Sequence, residues 1–185
     1  MRIIAGELRG RRLGVRRGSA VRPTTDRVRE ALFNILATRV PGCRFLDLYA
    51  GTGAVGLEAV SRGARDVVFV ERDRQASAIL RRNLEDTGVG RGATLRAGDV
   101  EAVIGDLGRE GWMFDLVYVD PPYKGTLVNK TVLALAWSGV VEPDGWIIVE
   151  SSQRNPPAER IGGFEVWRRE RYGETLLSFY RRAGE

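Results

Sequence analysis

Histidine is absent from all 185 residues, which removes the commonest general base, the commonest zinc ligand and every Ser-His or Cys-His nucleophilic pair. Cys43 is the only cysteine, so neither a disulfide framework nor a cysteine metal cluster can form within the chain, and no metal is expected. Lysine is nearly missing too: Lys124 and Lys130 stand against 27 arginines. No apolar run reaches the length of a membrane span, and the opening "MRIIAGELRGRR" lacks a secretory apolar region. A cytoplasmic protein without membrane association is expected. With 43% hydrophobic and 29% charged residues, the balance is that of a folded domain rather than a disordered chain, and the length suits one core.

What is present is unevenly placed. Residues 1–30 contain Arg2, Arg9, Arg11, Arg12, Arg16, Arg17, Arg22, Arg27 and Arg29 against Glu7, Asp26 and Glu30, a charge of +6, while the rest of the chain carries −1. A basic arm on a near-neutral body fits a polyanionic partner, and all of these arginines except Arg29 are taken as candidate nucleic-acid contacts. Residues 2–17 alternate loosely around Gly6, Gly10 and Gly14, which predicts a short basic hairpin. Val28, Ala31, Leu32, Ile35 and Leu36 then fall on one face of a helix that Pro41 and Gly42 close. The expected division is an arm with its leading helix (1–40), packed on a main domain (41–185).

From residue 44 strand and helix patterns alternate. "RFLDLYA" (44–50), "DVVFVE" (66–71), "ATLRAGD" (93–99), "FDLVYVD" (114–120) and "GWIIVES" (145–151) read as strands, with helical patterns between them at 55–60, 76–84, 100–107 and 127–137. "FEVWRRERYG" and "TLLSFYRRAG" alternate across Gly173-Glu174 and predict an antiparallel pair, for seven strands in all. Serial β-α units require a mostly parallel α/β sheet covered on both faces, and such sheets bind ligands outside the carboxyl ends of their strands. Trp137, Trp146 and Trp167 are expected in the core. Trp112 has no evident place. Arg168, Arg169, Arg171, Arg181 and Arg182 alternate with acids and read as a solvated surface.

"DLYAGTGAVG" places Gly51-x-Gly53-x-x-Gly56 between a strand and a helix, with Glu71 twenty residues after Gly51 at the next strand tip. This is the pattern of a nucleotide site, in which an acid binds a ribose diol. Asp47 bears on which nucleotide. It lies inside the strand, where a carboxylate would repel a pyrophosphate but suits a cationic ligand. S-adenosylmethionine has an ammonium, a sulfonium and a ribose diol but no phosphate. On that reading Asp47 faces the ammonium, directly or through water, and Glu71 the ribose. Asp99 takes the adenine amine, while the Val100 amide faces the ring. Tyr49, Ala50 and Arg72 complete the candidate cofactor set. An NAD-dependent oxidoreductase remains the rival for the glycine pattern.

"FDLVYVDPPYKG" (114–125) ends a core strand with a charge, two prolines and an aromatic. Methyl transfer to an exocyclic amine needs acceptors that hold its hydrogens so that the lone pair faces the methyl donor. Asp120 is one such acceptor. The Pro121 carbonyl is a second, fixed by the stiffness of Pro121-Pro122, and Tyr123 would stack on the base. No strong base is needed, in keeping with a chain that has no histidine.

With both motifs in hand, the sequence resembles the bacterial RsmD family of 16S ribosomal RNA (guanine-N2)-methyltransferases. The resemblance is carried by "RIIAGELRGRRL", "RPTTDRVREALFNIL", "DLYAGTGAVGLEAVSRGA", "VFVERD" and "VYVDPPY", and covers nearly the full chain. It implies a Rossmann-like class I methyltransferase fold, a β-hairpin arm on RNA, S-adenosylmethionine as donor, and a 30S subunit or its assembly intermediate as substrate. It also implies that "RPTTDR" closes over cofactor and base. From the residues alone, Arg22, Thr24, Thr25 and Arg27 either contact phosphates or cap the following helix. Tyr123 departs from the family's usual Phe, though either ring stacks. A monomer is expected. A DNA adenine-N6 methyltransferase and a non-catalytic RNA-binding assembly factor are the alternatives.

Overall fold

The computed structural model describes residues 1–15, 25–90, 92–122 and 126–184. Five parallel strands form the centre of one sheet: β1 (Arg44–Leu48), β2 (Asp66–Glu71), β3 (Ala93–Ala97), β4 (Phe114–Val119) and β5 (Val141–Ser152). Beyond β5 the pairing turns antiparallel through β8 (Thr175–Arg182), β7 (Phe164–Tyr172) and β6 (Arg160–Ile161). The spatial order is β3-β2-β1-β4-β5-β8-β7-β6, so the chain changes direction across the sheet between β1 and β4. That switch opens a crevice at the carboxyl ends of those two strands.

Among the described residues five helices cover the sheet: α1 (Asp26–Ile35), α2 (Ala54–Ser61), α3 (Arg74–Thr87), α4 (Val100–Arg109) and α5 (Thr126–Ser138). Successive strand residues point to opposite faces, so each apolar run supplies two cores. Phe45, Phe69, Leu116, Tyr118 and Ile148 pack with Leu32 and Phe33 of α1, Leu57 of α2 and Leu80 of α3. Leu46, Leu48, Val68, Val117 and Val149 pack on the other face with Ile104 and Leu107 of α4 and Val132 and Leu135 of α5.

Three expectations are corrected. Among the described residues the sheet has eight strands rather than seven, because the two-residue β6 adds an edge too short to show a period. The basic hairpin is not a strand pair among the described residues. One antiparallel bridge joins Arg2 and Arg12, and Gly6 and Gly10 at φ 83° and 84° bend the intervening chain into turns. Trp137 is not core: it is 79% exposed at the end of α5. Trp146 and Trp167 do pack as expected, their rings 4.7 Å apart and both against Phe179. Trp112 finds its place stacked on Phe114.

The N-terminal segment is bound to the domain by a polar core. Glu58 of α2 is fully buried and accepts from the Ile4 and Ala5 amides at 2.8 and 3.0 Å. Arg29 of α1, equally buried, donates to the Arg2 carbonyl at 2.6 Å and lies 3.5 Å from the Glu58 carboxylate. Ser61 adds bonds to the Ala5 carbonyl and the Leu8 amide. Ile3 and Leu13 are buried beside it. Breaking one member of such a buried ion pair strands the other, typically at a cost of about 3–5 kcal/mol.

Candidate active site

β1 ends in a turn whose shape is set from beneath by Asp47. Its carboxylate is 2% exposed and accepts from the Gly56 amide at 2.8 Å, filling an orphan donor in the first turn of α2. Burial pushes the Asp47 carboxyl up to about 7 against the pull of the Gly56 amide, and the Glu71 charge adds to the rise. Tyr49 follows at φ 61°, the one non-glycine with positive φ among the described residues, and its hydroxyl bonds the Thr131 hydroxyl of α5 at 2.7 Å. A bulky residue held there stores about 1–3 kcal/mol of strain, fixed here by packing on both sides. The Ala50 amide continues the ladder to Val70 at 3.0 Å.

The three glycines do different things. A Cβ on Gly53 (φ 85°) would sit 2.2 Å from Leu80, and one on Gly56 would sit 2.2 Å from the Phe69 ring. Both let α2 close on the sheet. A Cβ on Gly51 would meet nothing within 4 Å. The open side of the turn is therefore at Gly51, where a ligand can approach the backbone.

The Gly51 amide donates to Glu71 at 2.8 Å, and the other oxygen of Glu71 accepts from the Asp73 amide at 2.7 Å. Glu71 thus clamps the glycine turn to the entry of α3, with exposed Arg72 beside it. Asp99 is the N-cap of α4, accepting from the Glu101 amide at 3.2 Å. Its carboxyl is held below the usual range, first by a hydrogen bond with the Glu101 side chain. Val100 is buried at the start of the same helix. Each predicted cofactor acid therefore also ties down backbone. A carboxylate has about four acceptor positions, so Glu71 and Asp99 retain capacity for a polar ligand.

β4 lies against β1 with Leu48 opposite Val119, which brings Asp120 level with Tyr49 and the glycine turn. Asp120 is half-buried, Pro121 buried and Pro122 exposed; Tyr123 lies outside the described residues. Sequence reasoning missed the neighbour of Asp120 on the other side. Val119 pairs with Val149, so Glu150 of β5 stands next to Asp120. Glu150 is 6% exposed and accepts from the Tyr118 hydroxyl at 2.5 Å. The clue in the sequence is an acid closing "WIIVE", as Asp120 closes "LVYVD".

Of the candidate nucleic-acid contacts, Arg2, Arg9, Arg11, Arg12 and Arg27 are exposed, while Arg16, Arg17 and Arg22 lie outside the described residues, as does Thr24. Arg2, Arg9 and Arg27 line one cavity of about 350 Å3 with Asp26 and Glu30. Arg11 donates to the Asp86 carbonyl at 2.9 Å. Thr25 is the N-cap of α1, accepting from the Val28 amide at 3.3 Å. Among the described residues no acid or cysteine cluster could hold a metal, and no helix is long and apolar enough to cross a membrane. Sequence reasoning also missed Asn83 of α3, which donates to both the Thr52 and Gly14 carbonyls, at 2.8 and 3.1 Å, and accepts from the Gly14 amide at 2.7 Å. One buried amide therefore joins the basic segment to the glycine turn.

The family model described as conserved hypothetical protein 95 matches residues 1–181. The chain is 36% identical to ribosomal RNA small subunit methyltransferase D of Escherichia coli (strain K12), across 100% of this chain and 91% of that protein. A solved Escherichia coli structure superposes with a TM-score of 0.88 at 35% identity, covering 100% of this chain and 99% of that one. A methyltransferase-fold structure complexed with S-adenosylhomocysteine is similar in fold alone, with a TM-score of 0.67 at 16% identity over 82% of this chain and 48% of that one.

Proposed function

Because this chain belongs to the RsmD family, we propose that it methylates the exocyclic N2 amine of a guanine in 16S ribosomal RNA, using S-adenosylmethionine, on a 30S subunit or its assembly intermediate. The carrying observation is the β1–β4 register, which sets the glycine turn and its acids beside Asp120 and the Pro121-Pro122 elbow. Neighbouring strands lie about 4.8 Å apart, so a donor held at one tip adjoins an acceptor held at the next.

The residues present fit the methyl donor. Gly51 leaves an open approach, and Glu71 and Asp99 give an acidic crevice that would repel a pyrophosphate and favours a cation, with Asp47 supporting the turn from beneath. A fold neighbour solved with S-adenosylhomocysteine supports the same choice over NAD. When bound, the donor supplies a methyl carbon whose bond to sulfur breaks toward sulfur.

The chain's own residues prepare the acceptor. Asp120 and the Pro121 carbonyl accept hydrogen bonds from the two amine hydrogens, and the guanine lone pair is left facing the methyl. Positive charge grows on N2 as the new N–C bond forms, and Asp120 stabilises it. The proton then leaves to Asp120 or to solvent. Arg2, Arg9, Arg12 and Arg27 hold phosphates and set the register on RNA without reading its sequence.

Purified protein incubated with labelled S-adenosylmethionine and 30S particles should yield N2-methylguanine at one position on mass mapping. Label in DNA adenine, or none in ribosomal RNA, overturns the proposal.

A further inference from the structure

We propose that the tip of the β7–β8 hairpin is a second RNA contact, where Tyr172 stacks on a base flanking the target guanine and Arg171 holds a neighbouring phosphate. This inference rests on the ribosomal RNA reading above. β8 begins at Thr175, which pairs with Ser152 at the end of β5 on one side and with Tyr172 at the end of β7 on the other. The hairpin turn therefore stands at the carboxyl end of the central strands, the end that carries Asp120. Glu150 pairs with Leu177, and Leu177 with Glu170. Tyr172 thus lies two residues above the level of Asp120 and three strand spacings, each about 4.8 Å, to its side. That is too far to touch the methylated base and suits the next nucleotides of the same strand.

Of the arginines on this hairpin, Arg168, Arg169 and Arg181 pair with acids, and Arg182 bonds the Val141 carbonyl. Arg171 is exposed and, among the described residues, has no such partner. Tyr172 is half-buried, packed against the cluster that holds Leu177 and Phe179. A ring held in this way has little freedom to lose on binding. Burial pushes the Tyr172 phenol up and Glu170 adds to the rise, while Arg168 and Arg27 pull it down. Arg27, in the first turn of α1, is therefore within electrostatic reach of the ring, and it also lines the cavity of Arg2 and Arg9. The basic surface of the arm is continued through Arg27 to the hairpin tip. Drawing a base out of its stack leaves its neighbour without a partner. An aromatic ring accepts the face of any base, and positive charge alongside it tracks the backbone.

Filter binding to 30S particles tests the contact. Tyr172→Leu keeps an apolar side chain on the core but removes the ring. It should raise the dissociation constant for the particles by about tenfold or more, with that for S-adenosylmethionine within about twofold of wild type. Tyr172→Phe should restore wild-type affinity, since the ring stacks without its hydroxyl. Arg171→Gln should flatten the log–log salt dependence of binding by about 0.7–0.9, the share of one phosphate. Arg171 is exposed, so this variant decides the matter should Tyr172→Leu unfold. Folded Tyr172→Leu with wild-type affinity, or Tyr172→Phe no better than Tyr172→Leu, overturns the stacking. An unchanged salt slope in Arg171→Gln overturns the phosphate contact. Either failure leaves wild-type methylation of the guanine standing. Wild-type protein that leaves ribosomal RNA unmethylated refutes the parent reading instead.

Discussion

At the tips of β1 and β2 the carboxylates are busy with the protein's own backbone: Asp47 holds Gly56, and Glu71 holds Gly51 and Asp73. At the tips of β4 and β5 the turn is stiffened by proline rings instead, and Asp120 and Glu150 stand side by side. The first pair of strands shapes a loop that must be glycine-rich and close-packed before any ligand arrives. The second pair presents acceptors on a rigid elbow. Mutations in the two regions should therefore fail differently, the first through stability and cofactor affinity, the second through turnover.

The largest effect is expected at the elbow. Asp120→Asn should lower kcat by about 10²–10³ while leaving the S-adenosylmethionine dissociation constant within about twofold. A matching loss of cofactor affinity would erase the distinction between the two regions. Next comes Gly56→Ala, which drives a methyl into the Phe69 ring and should cost about 1–3 kcal/mol in urea unfolding. Gly51→Ala meets open space, so its damage should fall on cofactor binding, beyond the roughly 1–2 kcal/mol of left-handed backbone strain. An unfolding midpoint left unchanged by Gly56→Ala would show that the turn is not packed as described.

Asp47 sharpens the contrast through pH. Its carboxyl titrates near 3.8 when unfolded and at about 7 in the fold, so it binds its proton more tightly when folded. The stability it contributes is full below about pH 3.8 and falls away as pH rises to about 7. Asp47→Asn has nothing to ionise. The difference in stability should move in the variant's favour across that window and level off above it, as read by thermal unfolding at fixed ionic strength. A flat difference would place the ionised carboxylate in a better-solvated setting. The smallest effect is expected in the arm. Replacing Arg9 and Arg12 with Gln should flatten the log–log salt dependence of RNA binding by about 0.7–0.9 for each phosphate that is no longer neutralised. An unchanged slope would remove both arginines from the interface.

The parallel sheet was legible because each β-α unit announces itself by a change of period, from two to 3.6, within a few residues. Asp47, Glu71, Asp99 and Asp120 were legible as charges at the ends of apolar strands. Their double duty was not, since a bond from Asp47 to Gly56 or from Glu71 to Gly51 depends on where the turn folds back. Glu150 escaped notice because its neighbour, Asp120, is thirty residues away in the chain and adjacent only through register. The same holds for Arg29 and Glu58, which are far apart in the chain and meet only through the packing of α1 on α2. Trp137 misled because a large aromatic on a helix usually faces inward, and α5 is apolar enough around it to hide the exposed face.

Glu58 also bears on the order in which the chain assembles. Ile4 and Ala5 leave the ribosome early, yet the carboxylate that seats them is made more than fifty residues later. The opening segment, with all its positive charge, must wait unanchored until α2 has emerged and docked. During that interval it is free to meet other polyanions, so its final fit against Arg29 and Ser61 follows the docking of α2 rather than preceding it.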